Sequence, residues 1–141
     1  MTVASSIELK LPSDMNYLGV PDVVLTEICG ELECDQQSLE ELGTAVIEAC
    51  TNAMEHGNQL DPELQIEIII ELDDLTVTFT VFDHGKGFDF EHWAPSDELM
   101  RLRGRGIMIM REFTDDLQFG QHDDGRFSLR MVKKLAPAAD D

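Results

Sequence analysis

The sequence predicts an α/β fold, a two-layer sandwich whose helices pack on one face of a mixed, mostly antiparallel sheet. Five segments carry the period-two alternation or the β-branched and aromatic composition of strands, and three others repeat apolar residues with the period of a helix. Their order is strand, two helices, two strands, a loop, a helix and two strands. Such an order segregates the helices to one side of the sheet.

The first half of the chain supplies one strand and two helices. The strand "IELKL" is followed by "PSD", which provides a turn and a helix N-cap. Pro21 makes the first helix irregular. Ser38 is expected to cap the second helix with Glu41 as its capping-box partner, and Gly57 ends this helix after His56.

The second half begins with a hairpin of "LQIEIII" and "LTVTFTVF", turned at Asp73 and Asp74. Residues 85–103 show no clear period and are expected to form a loop with one helical turn at most. "GIMIMREF" predicts a short helix, and "DDLQFG" and "RFSLRMVKKL" predict a closing hairpin turned at "HDDG". Residues 135–141 are expected to be a disordered tail.

The length and the apolar content bound the organisation of the chain. With 141 residues, of which 43% are hydrophobic, the chain suits a single domain over 1–141. Its apolar runs are far shorter than the roughly 20 residues that cross a bilayer, so no membrane segment is expected and a cytoplasmic location is predicted. Cys29, Cys34 and Cys50 are an odd number without zinc-ligand spacing, which favours reduced thiols.

The charge of the chain is strongly negative and unevenly distributed. Ten basic and twenty-nine acidic side chains give a formal net charge of −19, which argues against a nucleic-acid partner. No basic residue occurs between Lys10 and Lys86, and most of the others follow position 100. The basic residues after position 100 are expected to form a solvated surface. For Arg101, Arg103 and Arg105, which lie beside two glycines, the alternative is an anion site.

The end of the second helix carries polar residues at four-residue steps. Glu48 and Asn52 fall on the face opposite the apolar stripe, with Glu55 nearby. This is either a solvated face or a site, because a carboxylate and an amide one turn apart could hold a hydrated Mg²⁺ beside a phosphate chain.

Two glycine pairs follow further along the chain. In "VFDHGKGFD", Asp83 ends a strand, and Gly85 and Gly87 allow a backbone to approach a ligand closely; the alternative is a loose turn. In "RLRGRGIMIM", Gly104 and Gly106 are predicted to precede a helix, where free backbone N–H groups would form an anion site.

Together, and in this order, the three stretches resemble the N, G1 and G2 boxes of the GHKL (Bergerat-type) ATPases. Within that superfamily, the single-domain size of the chain and the stretches "EACTNAMEHGN … GRGIMIMREFTDD" look like the anti-sigma-factor serine kinases of bacterial partner-switching systems. The resemblance covers roughly residues 7–134. It implies a Bergerat-type ATP-binding fold, with ATP or ADP and Mg²⁺ as cofactors.

The resemblance also implies roles for single residues. Asn52 would coordinate Mg²⁺, Glu48 would be the general base for a serine hydroxyl, and Asp83 would read the adenine amine. Residues of the three boxes would line the nucleotide under a lid formed by about 90–103. These cofactor-binding residues are Asn52, His56, Asp83, Gly85, Gly87, Gly104, Arg105 and Gly106.

Two departures from the family pattern stand out. "GRFSLRMVK" has no clean match to the Gly-Thr that often opens the last strand, which leaves a nucleotide contact from Ser128 open. The first helix lacks the basic residues that anti-sigma factors commonly present to their partner, which puts a sigma-factor target in doubt more than it does ATP binding.

Two functions of different class remain open. The first is a serine/threonine protein kinase that acts on a small antagonist protein, STAS-like in this family, and also sequesters a sigma factor or other regulator. The second is a nucleotide-sensing interaction module without chemistry. Glu48 favours the kinase, and the oligomeric state stays open, with a homodimer among the alternatives.

Overall fold

The structure is a computed structural model and describes residues 5–87 and 101–139. Within these ranges three α-helices cover a five-stranded sheet. The elements in chain order are β1 (Ser5–Pro12), α1 (Val20–Gly30), α2 (Gln36–Thr51), β2 (Gln65–Asp73), β3 (Thr76–Asp83), α3 (Arg101–Phe113), β4 (Asp116–Gln121) and β5 (Phe127–Lys134). None of the helices in these ranges has the length and apolar content needed to cross a membrane.

The strands lie in the order β1-β2-β3-β5-β4, and each neighbouring pair is antiparallel. The predicted α/β sandwich is confirmed, but the predicted mixed character of the sheet is wrong, because all four described strand pairs are antiparallel. Alternation along the strands directs one set of side chains towards the helices, as the buried isoleucines of β2 show (Ile66, Ile68 and Ile70). These side chains pack with α2 residues such as Leu42 and Val46 in one core.

The predicted first helix is divided into two pieces. A 3₁₀ turn covers Met15–Tyr17, and its cap is Asp14, whose carboxylate accepts a hydrogen bond from the Asn16 N–H at 2.9 Å. The α-helix α1 begins only at Val20, with Pro21 in its first turn. Proline fits there because the first N–H groups of a helix have no partner within it.

The predicted cap of α2 is wrong by one turn. Asp35 is the N-cap, and its Oδ2 accepts a hydrogen bond from the Ser38 N–H at 3.3 Å. Because the Asp35 carboxylate caps the helix, the Ser38 hydroxyl is not needed as a cap. It accepts a hydrogen bond from the Ala136 N–H instead. Glu41 likewise turns away from the helix end and pairs with Lys133 Nζ at 2.9 Å.

The predicted start of α3 is also wrong. The helix begins at Arg101, so Gly104 and Gly106 lie within it rather than before it. The reason is packing: Gly104, Ile107 and Met110 form a buried stripe at helical spacing. At Gly106, a Cβ would lie 2.8 Å from Glu48 Oε2, so this glycine allows α3 to approach α2 closely. Residues 88–100, most of the predicted loop and lid, lie outside the described ranges.

Both predicted hairpins are present. The turn between β2 and β3 consists of Asp74 and Leu75, because Asp73 still pairs with Thr76 as a strand residue. Asp74 adopts a φ of 54°, a conformation that Asp tolerates better than most residues. In the closing hairpin, Gly125 has a φ of 90°, which explains the glycine in "HDDG".

The chain after β5 makes ordered contacts, in contrast to the expected disordered tail. Leu135 is buried and its N–H donates to the Leu75 carbonyl at 2.8 Å. A short β-bridge then joins Pro137 to Cys34 in the α1–α2 connection. Residues 135–138 therefore fasten this connection to the sheet; 140 and 141 lie outside the described ranges.

The three cysteines are free thiols, as predicted. Burial raises the pKa of Cys29 to about 11 and that of Cys50 to about 12. Cys34 is half-buried and its Sγ lies 3.8 Å from the Cys29 carbonyl oxygen. Neutral, buried thiols of this kind contribute as small apolar groups to the core.

Candidate functional site

The three glycine-bearing stretches singled out in the sequence meet at one end of the molecule. The turn that follows α2 contacts the loop after β3 at Gly57 and Gly85. The last turns of α2 contact α3 at Glu48 and Gly106. The structure therefore brings the predicted site residues together around the end of α2. The surroundings of these residues differ between the side formed by α3 and the side formed by the loop after β3.

The polar end of α2 is shaped by a change of helix type. After Thr51 the chain winds as a π-helix over Asn52–Gly57, in which the Asn58 N–H donates to the Ala53 carbonyl at 2.9 Å. A wider turn shifts the direction in which its side chains project, and such turns are frequent at functional sites. Hydrophobic periodicity cannot reveal it, because the apolar face continues through it.

Asn52 is the buried polar residue of this turn. Its side chain is only 7% exposed, so the interpretation of its helix face as a solvated surface is wrong at this position. Its Oδ1 atom is buried and has no hydrogen-bond partner among residues 5–87 and 101–139. An orphaned buried acceptor costs about 1–3 kcal/mol, so its presence points to a ligand that would satisfy it.

Glu48 lies one helical turn before Asn52 and is half-buried. Both residues line a cavity of about 140 Å³, together with Thr51, Glu55, His56, Gly106 and Met110. The floor of this cavity is α2 and one wall is α3. It thus brings together the side chains of Glu48 and Asn52 and the contact between α2 and α3 at Gly106.

Asp83 ends β3 and is 4% exposed. Its Oδ1 accepts a hydrogen bond from the Gly85 N–H at 2.8 Å. A Cβ on Gly57 would lie 2.3 Å from the Asp83 carboxyl carbon, and a Cβ on Gly85 would lie 2.4 Å from the Gly57 carbonyl oxygen. Only glycines allow the carboxylate and these two backbone segments to stack so closely.

Gly87 continues this loop with a φ of 70°, which favours glycine. A Cβ there would lie 2.4 Å from the ring of Phe127, the first residue of β5. The loop and the π-helix border a second cavity of about 470 Å³, which shares His56 with the first. His56 therefore lies at the junction of the two cavities.

The basic residues near the site are exposed where the structure describes them. Arg105 projects from α3 beside Gly106, and Lys86 projects from the loop after β3. The side chains of 101–103 lie outside the description. Arg111 is exposed and makes a contact of its own further along α3.

Ser128 does not face this site. In the register of the sheet it pairs with Phe82, whereas Asp83 pairs with Phe127, so Ser128 and Asp83 point to opposite faces. Its hydroxyl lies 2.8 Å from His122 Nε2 on the face without helices. The Ser128 side chain therefore points away from Asp83 and the loop that follows it.

The structure adds one residue that the sequence analysis missed. Asn58 follows the π-helix, is 2% exposed and binds three other segments through its side chain. The sequence signal was present, because an Asn directly after the Gly of a helix end is a frequent capping residue, but its distant partners could not be read from spacing.

The sheet, the covering helices and this site agree with the comparison to known families. Residues 11–133 match the model of the histidine kinase-like ATPase domain. Because this match covers most of the chain, the protein belongs to that family.

Individual relatives narrow the class further. The chain is 30% identical over an alignment of 145 positions to the serine-protein kinase RsbW of Listeria monocytogenes, covering 95% of this chain and 90% of the relative. It is 27% identical over 128 residues to serine-protein kinase RsbW of Bacillus subtilis, covering 84% and 80%.

A solved structure shows the same fold. The crystal structure of the RsbU and RsbW domains of a Mycobacterium tuberculosis protein superimposes with a TM-score of 0.67 at 19% identity. The match covers 97% of this chain and 35% of that longer chain. At this identity the likeness establishes the fold and leaves residue roles to be argued from the site itself.

Proposed function

We propose that the chain binds ATP or ADP with Mg²⁺ and acts as a protein serine/threonine kinase on a small antagonist protein in a bacterial partner-switching system. Its family and its serine-protein kinase relatives support this function. The observation that carries it is the buried Oδ1 of Asn52, which has no hydrogen-bond partner within the part of the chain that the structure describes.

The residues at Asn52 fit a magnesium ion. Mg²⁺ prefers oxygen ligands, keeps several waters and binds proteins through few side chains beside substrate phosphates. Asn52 lines the cavity and carries such an oxygen, and Glu48 lies one turn away. An ion bound with the nucleotide would satisfy the Oδ1 atom and remove the cost of its burial.

The loop after β3 fits the base of the nucleotide. The Asp83 carboxylate can accept a hydrogen bond from an exocyclic amine, and its contact with the Gly85 N–H fixes its orientation. The glycines at 57, 85 and 87 leave no side chain between the base and the backbone. Adenine carries such an amine, whereas guanine presents a carbonyl at the corresponding position.

Glu48 is the proposed general base. Bound ATP would supply the γ-phosphoryl group and leave as ADP, while the Glu48 carboxylate would take the proton of the substrate hydroxyl as that oxygen forms its bond to phosphorus. Its half-buried position allows contact with an incoming protein side chain. A hydroxyl near Glu48 would also be near the metal position at Asn52.

The phosphates would be contacted from α3. Arg105 is exposed and can reach a phosphate without a change of fold. The Gly106 N–H, in contrast, lies in the interior of the helix, where an amide is bonded to the carbonyl four residues earlier. A backbone contact from Gly106 would therefore require the first turns of α3 to unwind.

The proposed partners are a STAS-like antagonist and a regulator such as a sigma factor. Neither α1 nor α2 contains a Lys or Arg. A protein that docks on this acidic helical layer would have to present basic or apolar groups.

The test is phosphoryl transfer to a captured partner. The chain is used to capture proteins from its source cell with ATP and with ADP, and captured small proteins are incubated with γ-labelled ATP. Labelled phosphoserine or phosphothreonine with wild type, and none with Glu48→Gln, supports the kinase. ATP binding without any transfer would contradict it and favour the nucleotide-sensing module.

A further inference from the structure

Asn58 connects four separate segments of the chain through its side chain and backbone. Its Nδ2 donates to Ser13 Oγ at 2.9 Å and to the Gln65 carbonyl at 3.2 Å. Its Oδ1 accepts from the His84 N–H at 2.7 Å. It thus joins the end of the π-helix to the ends of β1 and β3 and to the start of β2.

This residue differs from Asn52, six positions earlier, in one important respect. The Asn58 side chain is 2% exposed, and its oxygen and its nitrogen both have partners within the protein. It therefore has no need of a ligand, and a direct role in binding is unsupported. Its side-chain hydrogen bonds instead hold the backbone of neighbouring segments in place.

The bond to His84 reaches the proposed base-binding loop at a defined point. His84 lies between Asp83 and Gly85, whose contacts with Gly57 form the close stack described above. The two peptides after Asp83 are each held by a hydrogen bond: the His84 N–H donates to Asn58 Oδ1, and the Gly85 N–H donates to Asp83 Oδ1.

We infer that Asn58 is a positioning residue that holds the loop 84–87 in the conformation that receives the adenine base. This inference rests on the proposed ATP site, since it assigns no contact with nucleotide to Asn58 itself. Its side chain sets the orientation of Asp83 and the glycines, which make the contacts. Removal of the Oδ1 atom would release the His84 N–H and allow the loop to adopt other conformations.

The matched control is Ser13. Ser13→Ala removes one of the two acceptors of Asn58 Nδ2 and also the Ser13 hydroxyl bond to the Leu64 carbonyl, but it leaves the Oδ1–His84 bond intact. Both variants lose buried hydrogen bonds, so both should lower the melting temperature. Only Asn58→Ala should affect the loop.

The experiment combines hydrogen exchange without nucleotide and calorimetric titration with Mg·ATP. In Asn58→Ala we expect faster exchange of the amides at 84–87 and ATP affinity lowered by about tenfold or more, the effect of one lost buried contact. Ser13→Ala should retain wild-type exchange in this loop and wild-type affinity. Asn58→Asp, which keeps an oxygen for His84, should retain more affinity than Asn58→Ala.

Two results would overturn the inference. One is unchanged exchange at 84–87 in Asn58→Ala, and the other is a loss of ATP affinity in Asn58→Ala no larger than that in Ser13→Ala. If wild type itself fails to bind ATP, the proposed function is wrong, while the exchange result still decides whether Asn58 holds the loop.

Discussion

The two sides of the candidate site are built in different ways. On the side of β3, Asp83, Gly57 and Gly85 are stacked at contact distance, and Asn58 bonds the loop to three other segments. On the side of α3, Asn52 Oδ1 lacks a partner among the described residues and Arg105 is exposed. The polar groups of the first side are held by contacts within the protein, whereas the second side has a buried oxygen that a ligand could satisfy.

This difference suggests how the site divides its work. In the proposed function, the prebuilt pocket would select the base, because a rigid shape loses little entropy on binding. The open, polar side would accommodate the phosphates, the metal and a protein substrate, which would arrive or leave in each catalytic cycle. Substitutions on the two sides should therefore have separable effects on binding and on transfer.

The largest effect is expected for the proposed general base. Glu48→Gln keeps the size of the side chain but cannot accept the proton, so phosphoryl transfer should fall by about 10²–10⁴ while ATP affinity remains near that of wild type. Transfer is measured with γ-labelled ATP and the captured substrate. Glu55→Gln, an exposed carboxylate at the same cavity, is the control and should transfer normally. A wild-type rate in Glu48→Gln would show that this residue is structural or part of the metal shell.

The base side should respond in binding. Asp83→Asn can present its amide NH₂, a donor, to the adenine amine, which is also a donor. This buried donor–donor mismatch should lower ATP affinity about tenfold or more. Calorimetry with ATP measures this, and Asp73→Asn, an exposed strand end on the same hairpin, should bind as wild type. Equal affinity in Asp83→Asn and wild type would remove the adenine assignment.

The phosphate side should discriminate ATP from ADP. Arg105→Ala should lower ATP affinity about two- to fivefold, the range of an exposed charge contact, and ADP affinity less. Arg111→Ala, which is further along α3, should change neither. The titrations are repeated at two salt concentrations, since an electrostatic contribution should shrink as salt rises. If the ATP-to-ADP ratio stays constant in Arg105→Ala, the arginine does not contact the outer phosphate.

The smallest effect concerns stability at a distance from the site. A hydrogen bond from Lys133, and then its charge, lower the pKa of Glu41 from its ordinary value of 4.5. Because the folded pKa is below the unfolded one, this pair stabilises the fold above pH 4.5 and the contribution is lost as pH falls through the folded pKa. The difference in free energy of unfolding between wild type and Glu41→Gln should therefore be largest near neutral pH. Glu40→Gln is the control, and a difference independent of pH would contradict the assignment.

The sequence predicted the elements and the meeting of the three stretches more reliably than their boundaries. The alternation in β2 and β3 and the periods of the helices are local hydrophobic patterns, which are visible in the sequence itself. The cap of α2 was misassigned because Ser38 and Asp35 are both good caps, and the choice depended on the tail that bonds Ser38. Such long-range competition cannot be read from local sequence.

The site was predictable in its members and less so in its geometry. Gly104 and Gly106 were predicted to precede a helix, whereas both lie within α3 and Gly106 allows the close approach to Glu48. The burial of Asn52 depends on the π-helix, which no periodicity reveals. The role of Asn58 rests on partners up to 45 positions away in sequence.

The central claim is that Asn52 completes a magnesium–nucleotide site, and the direct measurement is ATP affinity with and without Mg²⁺. Calorimetric titrations compare wild type with Asn52→Ala, at saturating Mg²⁺ and with a chelator. We expect Mg²⁺ to strengthen ATP binding to wild type and to give Asn52→Ala little or none of this gain, because the variant lacks the oxygen ligand. An equal gain from Mg²⁺ in both proteins would contradict the account, and so would an absence of ATP binding to wild type.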